Sequence, residues 1–352
     1  MKRKYAVLAP EHFADDAKTA HGVIAYGSDE VVAVVDPTLA GKHVRDVAPH
    51  LRRDAPIVGS VRDALAYGPT ALLIGTAPRG GALPPAWRAE ILDAIDAKLE
   101  VVSGLHDMLG EDEELKRAAQ HRGTRIWDVR KPPETPLFSG AVYKLTTPTL
   151  LLVGNDCAVG KMTVALELCS AAERAGRSAA FVPTGQTGIM IAGWGISIDR
   201  VIADFAPGAT ESLVLYAAQR SPDLIVVEGQ GSINHPAYAP VTLALMYGAA
   251  PDTLVLVCDP TRDRIGGYQT PTLAYRELIR IHESLLATVK PARVVGISLN
   301  TRALDDAGAR AAIEDARAQT GLPADDVVRN GPDALYAAIA PALQTRGRQC
   351  AV

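Results

Sequence analysis

The chain has 352 residues, with 36 Lys and Arg against 40 Asp and Glu, and a net charge of −4 with both signs interspersed. That length suits two ordinary domains, each with a sizeable core, and the weak, mixed charge excludes a dedicated nucleic-acid or anionic-membrane surface. No window approaches the roughly 20 apolar residues that span a bilayer, and Cys157, Cys169, Cys258 and Cys350 show no CxxC or Cys/His spacing, so neither a disulfide framework nor a zinc site is indicated. The expectation is a cytoplasmic protein with small-molecule partners, no nucleic acid and no membrane; a homo-oligomer is compatible with this composition.

Along the first 130 residues, short β-branched runs fall at 5–9, 30–35, 71–74, 99–102 and 124–129. Runs buried on both faces belong to a parallel sheet. Between them lie helical patterns, clearest at 85–97, where apolar positions recur three and four apart. No G-x-G-x-x-G follows the first run, so a dinucleotide fingerprint is missing. The loops at 36–37, 75–81 and 103–107 fall at strand ends, where such sheets bind ligands. His106, in SGLHD (103–107), is the site candidate among them, because that stretch makes poor helix and poor core. The run KPPETP at 131–136 then breaks regular structure and reads as a linker. The predicted domains are therefore 1–131, Rossmann-like, and 137–345, with the last residues, 345–352, read as a frayed tail.

The second domain alternates again, with strands expected at 149–153, 178–182, 224–227, 253–257 and 293–299. The first of these leads into GNDCAVGKMT (154–163) and a helical stretch. A strand, a glycine-bounded loop with lysine and a helix form an anion cradle, in which backbone N–H groups and the helix start face a phosphate and the lysine adds charge. Gly154, Asn155, Asp156, Cys157, Ala158, Val159, Gly160, Lys161, Met162 and Thr163 are accordingly cofactor-binding candidates. Asn155 stands in the place of the first motif glycine, and Met162 where a hydroxyl would hold Mg²⁺. Glu228 ends the run DLIVVEGQGS at the ligand end of the sheet, where an unpartnered carboxylate would be costly. Asp204 also ends an apolar run. Asn300, closing the last strand, suits reading a base edge.

Lys161, Asp204, Glu228 and Asn300 together resemble the dethiobiotin synthetase-like group of P-loop proteins. That resemblance implies an α/β fold with a P-loop NTPase-like domain on a mostly parallel sheet, an adenine nucleotide-like ligand contacted by Asn300, and a metal shell from Asp204 and Glu228 if the chemistry uses ATP and Mg²⁺. A second resemblance covers the whole chain. KTAHG (18–22), SGLHD (103–107), WDVRKP (127–132), the loop at 154–163, TGQTGIMIAG (184–193), ADF (203–205), EGQGS (228–232) with His235-Pro236, and PTR (260–262) are similar to the D-glutamate N-acetyltransferase family, long a domain of unknown function. It implies acetyl transfer from acetyl-CoA to the amino group of a D-amino acid, D-glutamate above all. The alternative is an ATP- and Mg²⁺-dependent ligase or kinase that activates a carboxylate or carbamate. The family pattern has His-Glu before Pro-Thr-Arg, whereas this chain has Cys258-Asp259.

Acetyl transfer to an amine needs a neutral nitrogen and a stabilised oxyanion. Glu228 or His235 is expected to take the proton. Gln186 and Thr187, in a loop that no regular element requires, are expected to contact substrate, as is His106. Arg262 is expected to clamp an acceptor carboxylate through its guanidinium fork, with Lys131 as a second cation.

Overall fold

The computed structural model describes residues 2–15, 17–76, 78 and 81–344. The loop at 75–81 lies partly, and the tail at 345–352 wholly, outside the described residues. The chain divides into two units, Met1–Pro132 with Gln186–Ser197, and Pro133–Gly185 with Ile198–Val352. Among the described residues no helix is long and apolar enough to cross a membrane.

The first unit is built on strands β1 Lys4–Leu8, β2 Glu30–Val35, β3 Ile57–Val58, β4 Ala71–Ile74, β5 Glu100–Ser103 and β6 Ile126–Asp128. They form a sheet in the order β3-β2-β1-β4-β5-β6, and every pairing is parallel. This is the Rossmann order, with its reversal between β1 and β4. Strand β4 is buried along its whole length, as a strand covered by helices on both faces must be. Its cover includes Ile91, Ala94 and Ile95 of the helix Arg88–Asp96, at the three- and four-residue spacing seen in the sequence.

In the second unit the strands are β7 Thr149–Gly154, β8 Ala179–Val182, β9 Leu224–Val227, β10 Thr253–Cys258, β11 Arg293–Leu299 and β12 Ala324–Asp325. Their order is β12-β11-β10-β7-β9-β8, again all parallel. All six residues of β7 are buried, and β7 lies between β10 and β9, so the loop leaving its carboxyl end emerges amid the ends of two neighbours. The helix Lys161–Arg174 packs Val164, Ala165, Leu168 and Ala172 into the core beneath that loop. Small side chains dominate this face, consistent with the Ala- and Val-rich composition.

Candidate functional site: a phosphate-binding loop and its braces

The loop after β7 has the backbone of an anion cradle. Ala158 has φ 55° and Gly160 φ 108°, both in the left-handed region that turns successive N–H groups inward. The helix Lys161–Arg174 has Gly160 at its N-cap with no side-chain cap, so its first-turn N–H groups are left for a ligand. Close approach explains the other glycines. A Cβ at Gly154 would lie 2.6 Å from the Val257 carbonyl oxygen, and one at Gly229 only 1.7 Å from that of Leu152.

Lys161 is 5% exposed and its Nζ donates to the carbonyls of Asp156 (2.7 Å) and Gly231 (2.8 Å). It therefore ties the loop to the glycine-rich turn after β9. Asn155 explains the loss of the first motif glycine: its Nδ2 donates to the Asp259 carbonyl (3.1 Å) while its Oδ1 accepts from Asp259 N–H (3.2 Å). The amide thus pairs with the backbone after β10, a link that glycine could not make.

Asp156 is the hub. Its Oδ1 accepts from Cys157 N–H (2.6 Å), and its Oδ2 from Gly266 N–H (2.9 Å) and Arg262 Nη1 (2.6 Å). Burial works to raise this carboxyl, but those donors outweigh it and hold Asp156 below the usual carboxylate range. Arg262 Nη1 also donates to the Cys157 carbonyl (2.9 Å), and Nε to Asp259 Oδ2 (3.1 Å). The Asp259 carboxylate accepts in addition from Thr261 N–H and Thr261 Oγ1. Arg262, expected to clamp an acceptor carboxylate, thus directs Nε and Nη1 to the loop and the Pro-Thr-Arg turn. Lys131, the second cation, is exposed and paired with Glu111 at 2.9 Å. At the departure from the family pattern, Cys258 is fully buried at the end of β10, and burial pushes its thiol up to about 12, so it is a packing residue.

Glu228 follows β9 and is buried. Its Oε2 accepts from the N–H groups of Thr184 (2.9 Å) and Gly185 (3.1 Å), which fixes the carboxylate at the carboxyl end of the sheet. His235 is 3% exposed, with Nε2 3.9 Å from Asp156 Oδ1. Burial lowers the His235 pKa, Asp156 opposes this and Lys161 adds to it. Asn300 follows β11, where its N–H donates to the Cys258 carbonyl and its Oδ1 accepts from Arg302 N–H in a local turn.

Asp204 is a correction. It lies exposed on the 3₁₀ turn Ala203–Phe205 ahead of the helix Ala206–Ala218, not at a strand end, because Val201-Ile202 is too short and too exposed to pair. Among the described residues, the one group of three or more ligating side chains contains neither Asp204 nor Glu228, the pair expected as a metal shell. Its ligating atoms are those of Asp156, Cys157 and His235, within 4.8 Å of one another. That set does not suit a cation, since Asp156 already accepts three hydrogen bonds and Lys161 and Arg262 lie against it.

The remaining candidates belong to the first unit. Gln186 and Thr187 open the helix Gln186–Ala192 rather than sitting in a loop. Thr187 is buried, with its Oγ1 3.0 Å from Thr19 Oγ1. Gln186 packs beside Gly104, where a Cβ would come within 2.9 Å of its Cγ, so it adjoins the loop that carries His106. That loop is tied down by His106 N–H to the Gly81 carbonyl (2.8 Å) and by Leu83 N–H to Asp107 Oδ2 (2.8 Å). Sequence reasoning missed the bracing role of Asp259 and the buried Arg130, whose Nε donates to the Gly104 carbonyl (2.7 Å); Arg130 sits in the same WDVRKP stretch that drew attention to Lys131.

Comparison with known proteins gives a consistent result. The family described as a domain of unknown function, DUF1611_C P-loop domain, matches residues 136–336, and the DUF1611_N Rossmann-like domain matches 37–132. Two proteins named D-glutamate N-acetyltransferase are each 37% identical to this chain: one from Tritonibacter scottomollicae, over 80% of this chain and 84% of its own length, and one from Pseudoalteromonas sp, over 79% and 83%. A crystal structure of a DUF1611 family protein from Anabaena variabilis superposes with a TM-score of 0.92 at 38% identity, covering 97% of this chain and all of the other.

Proposed function

Because the chain belongs to the DUF1611 family, with its Rossmann-like N-terminal domain and P-loop C-terminal domain, we propose that it is an N-acetyltransferase that moves an acetyl group from acetyl-CoA to the amino group of a D-amino acid, D-glutamate first among them. The names of the 37% identical relatives support the reaction class and the acceptor. The observation that carries the cofactor is a phosphate cradle with a lysine and no hydroxyl at the usual metal-binding position: an uncapped helix start, buried Lys161, and Met162 in place of that hydroxyl. Coenzyme A presents a pyrophosphate to such a loop and leaves its phosphorus atoms untouched. Without in-line phosphoryl displacement, the reaction has no γ-phosphate for Mg²⁺ to neutralise.

In this reading residues 154–163 hold the pyrophosphate, and Glu228, fixed by two N–H groups, takes the proton from the acceptor ammonium. The freed amine attacks the thioester carbonyl; as the tetrahedral adduct collapses the C–S bond breaks, the proton shed by the adduct nitrogen goes to the leaving sulfur to give the free thiol, and Glu228 releases its proton to solvent. Chelation tests it. With EDTA, acetylation of D-glutamate should persist at close to its full rate, and Glu228→Gln should lower kcat by about 100-fold, the scale of a lost general base. Loss of all activity with EDTA, restored by Mg²⁺, would move the assignment to an ATP-dependent ligase or kinase.

A further inference from the structure

His235 is followed by Pro236, and the two open a helical turn that runs into the helix Ala239–Ala249. The His235 carbonyl accepts from Ala239 N–H (3.2 Å), and the side chain caps this turn: Nδ1 lies 3.1 Å from both Ala237 N and Tyr238 N, each of which donates to it. Proline fits the position after the cap because it has no N–H to satisfy there. A neutral imidazole carries one N–H. With Nδ1 accepting two hydrogen bonds, that proton is on Nε2.

A second proton would have to sit on Nδ1, against the two N–H groups that already point at it. The groups around the ring are Asp156, 3.9 Å from Nε2, the Cys157 thiol within 4.8 Å, the Lys161 ammonium, and the rings of Tyr238 and Tyr268 at 4.5 and 5.2 Å between centroids. Asp156 is the one carboxylate among them, and its Oδ1 already accepts from Cys157 N–H. At 3.9 Å it is too far to accept the Nε2 proton. The same tautomer removes the Nε2 lone pair that a metal ion would need.

We propose that His235 is a fixed neutral hydrogen-bond donor, offering Nε2–H to an anionic oxygen of the ligand at the 154–163 loop, and is not the base. The oxygen comes either from a phosphate of the cofactor or from the carbonyl as it becomes an oxyanion; only the second source rests on the acyl-transfer reading. A neutral imidazole is a known way to polarise a carbonyl.

Two variants separate capping from donation. His235→Asn keeps a short acceptor for Ala237 and Tyr238 N–H but has no donor at the Nε2 position; His235→Gln places an amide N–H there and gives up the cap. Two-bond ¹H–¹⁵N spectra of the whole protein should show the Nε2–H tautomer of His235 from about pH 6 to 8, across the ordinary histidine range. If the partner is a phosphate, His235→Asn should weaken CoA binding by about 10-fold, the scale of a lost charge-assisted hydrogen bond. If it is the oxyanion, CoA affinity stays and kcat falls by about 100-fold or more. His235→Gln should recover part of either loss. An Nδ1–H tautomer, a pH–rate limb that disappears in His235→Asn, or wild-type binding and kcat in that variant would each overturn the proposal. The spectra and CoA titration need no acetyl transfer, so they stand or fall apart from the proposed activity.

Discussion

Replacing Arg262 with lysine distinguishes a loop brace from a substrate clamp. The substitution keeps one positive charge but loses a three-way grip: Nη1 on Asp156 Oδ2 and on the Cys157 carbonyl, and Nε on Asp259 Oδ2. A lysine can make about one of these. Hydrogen bonds to charged groups contribute about 1.5–3 kcal/mol each, but Arg262 and Asp259 are 30% and 15% exposed, so the Asp259 bond is discounted toward the surface-pair range of about 0–1 kcal/mol. Asp156 keeps its two backbone donors, which limits the penalty. The net loss is about 2 kcal/mol. In a unit of this size each kcal/mol moves the midpoint by about 2–4 °C, so Tm should fall by about 4–8 °C, read on the transition of the second unit if the two units melt separately. The loosened loop should also bind CoA about 10-fold more weakly, equivalent to about 1.4 kcal/mol, while the KM for D-glutamate changes little. Thermal melts and CoA calorimetry on the same preparations decide it. If instead the KM for D-glutamate rises 10-fold or more while Tm and CoA affinity stay at wild-type values, Arg262 is the carboxylate clamp and the bracing argument fails.

Lys161→Ala should weaken CoA binding by about 10- to 100-fold through loss of a charge-assisted contact, and should lower stability by about 1 kcal/mol because the Asp156 and Gly231 carbonyls lose their donor; unchanged affinity in calorimetry would detach the loop from the cofactor. Gly229→Ala drives a Cβ to 1.7 Å from the Leu152 carbonyl oxygen and should cost about 3 kcal/mol or more, whereas Gly160→Ala meets open space and pays about 1–3 kcal/mol for its φ of 108° alone; equal melting points for the two would contradict this. Asp156 has a folded-state pKa below its unfolded value, so its contribution is present above about pH 4 and is lost as pH falls through the lower folded value. Urea titrations across that range should show a steeper acid loss in wild type than in Asp156→Asn, and parallel curves would refute the assignment.

Most of the fold was legible because buried parallel strands are written as short β-branched runs: Glu30–Val35, Ala71–Ile74, Leu224–Val227 and Arg293–Leu299 are strands with those bounds. The two-residue strands β3 and β12 carry too little periodicity to be seen. Asp204 misled because an apolar run ending in an acid looks the same before a strand end and before an exposed 3₁₀ turn. The Thr-Gly-Gln-Thr-Gly stretch looked like a loop since glycine is a poor helix former, yet packing supplies what propensity lacks and Gln186–Ala192 is helical. The phosphate loop was visible in Gly160-Lys161. The roles of its neighbours were not, because whether Arg262 faces a substrate or Asp156 depends on contacts 106 residues apart in the chain. That His235 caps the turn at 237–238 was not visible, because histidine lies outside the residue types usually read as caps.

The central claim is that the loop at 154–163 serves a CoA thioester and not a nucleotide triphosphate in phosphoryl transfer. Its most direct test is to incubate the purified protein with D-glutamate and either acetyl-CoA in EDTA or Mg-ATP, and to follow free thiol in the first reaction and ADP or phosphate in the second. Thiol release that depends on D-glutamate, matched mole for mole by N-acetyl-D-glutamate and with no ADP formed from ATP, is the predicted result. D-glutamate-dependent ADP or phosphate release with no thiol appearing would contradict it.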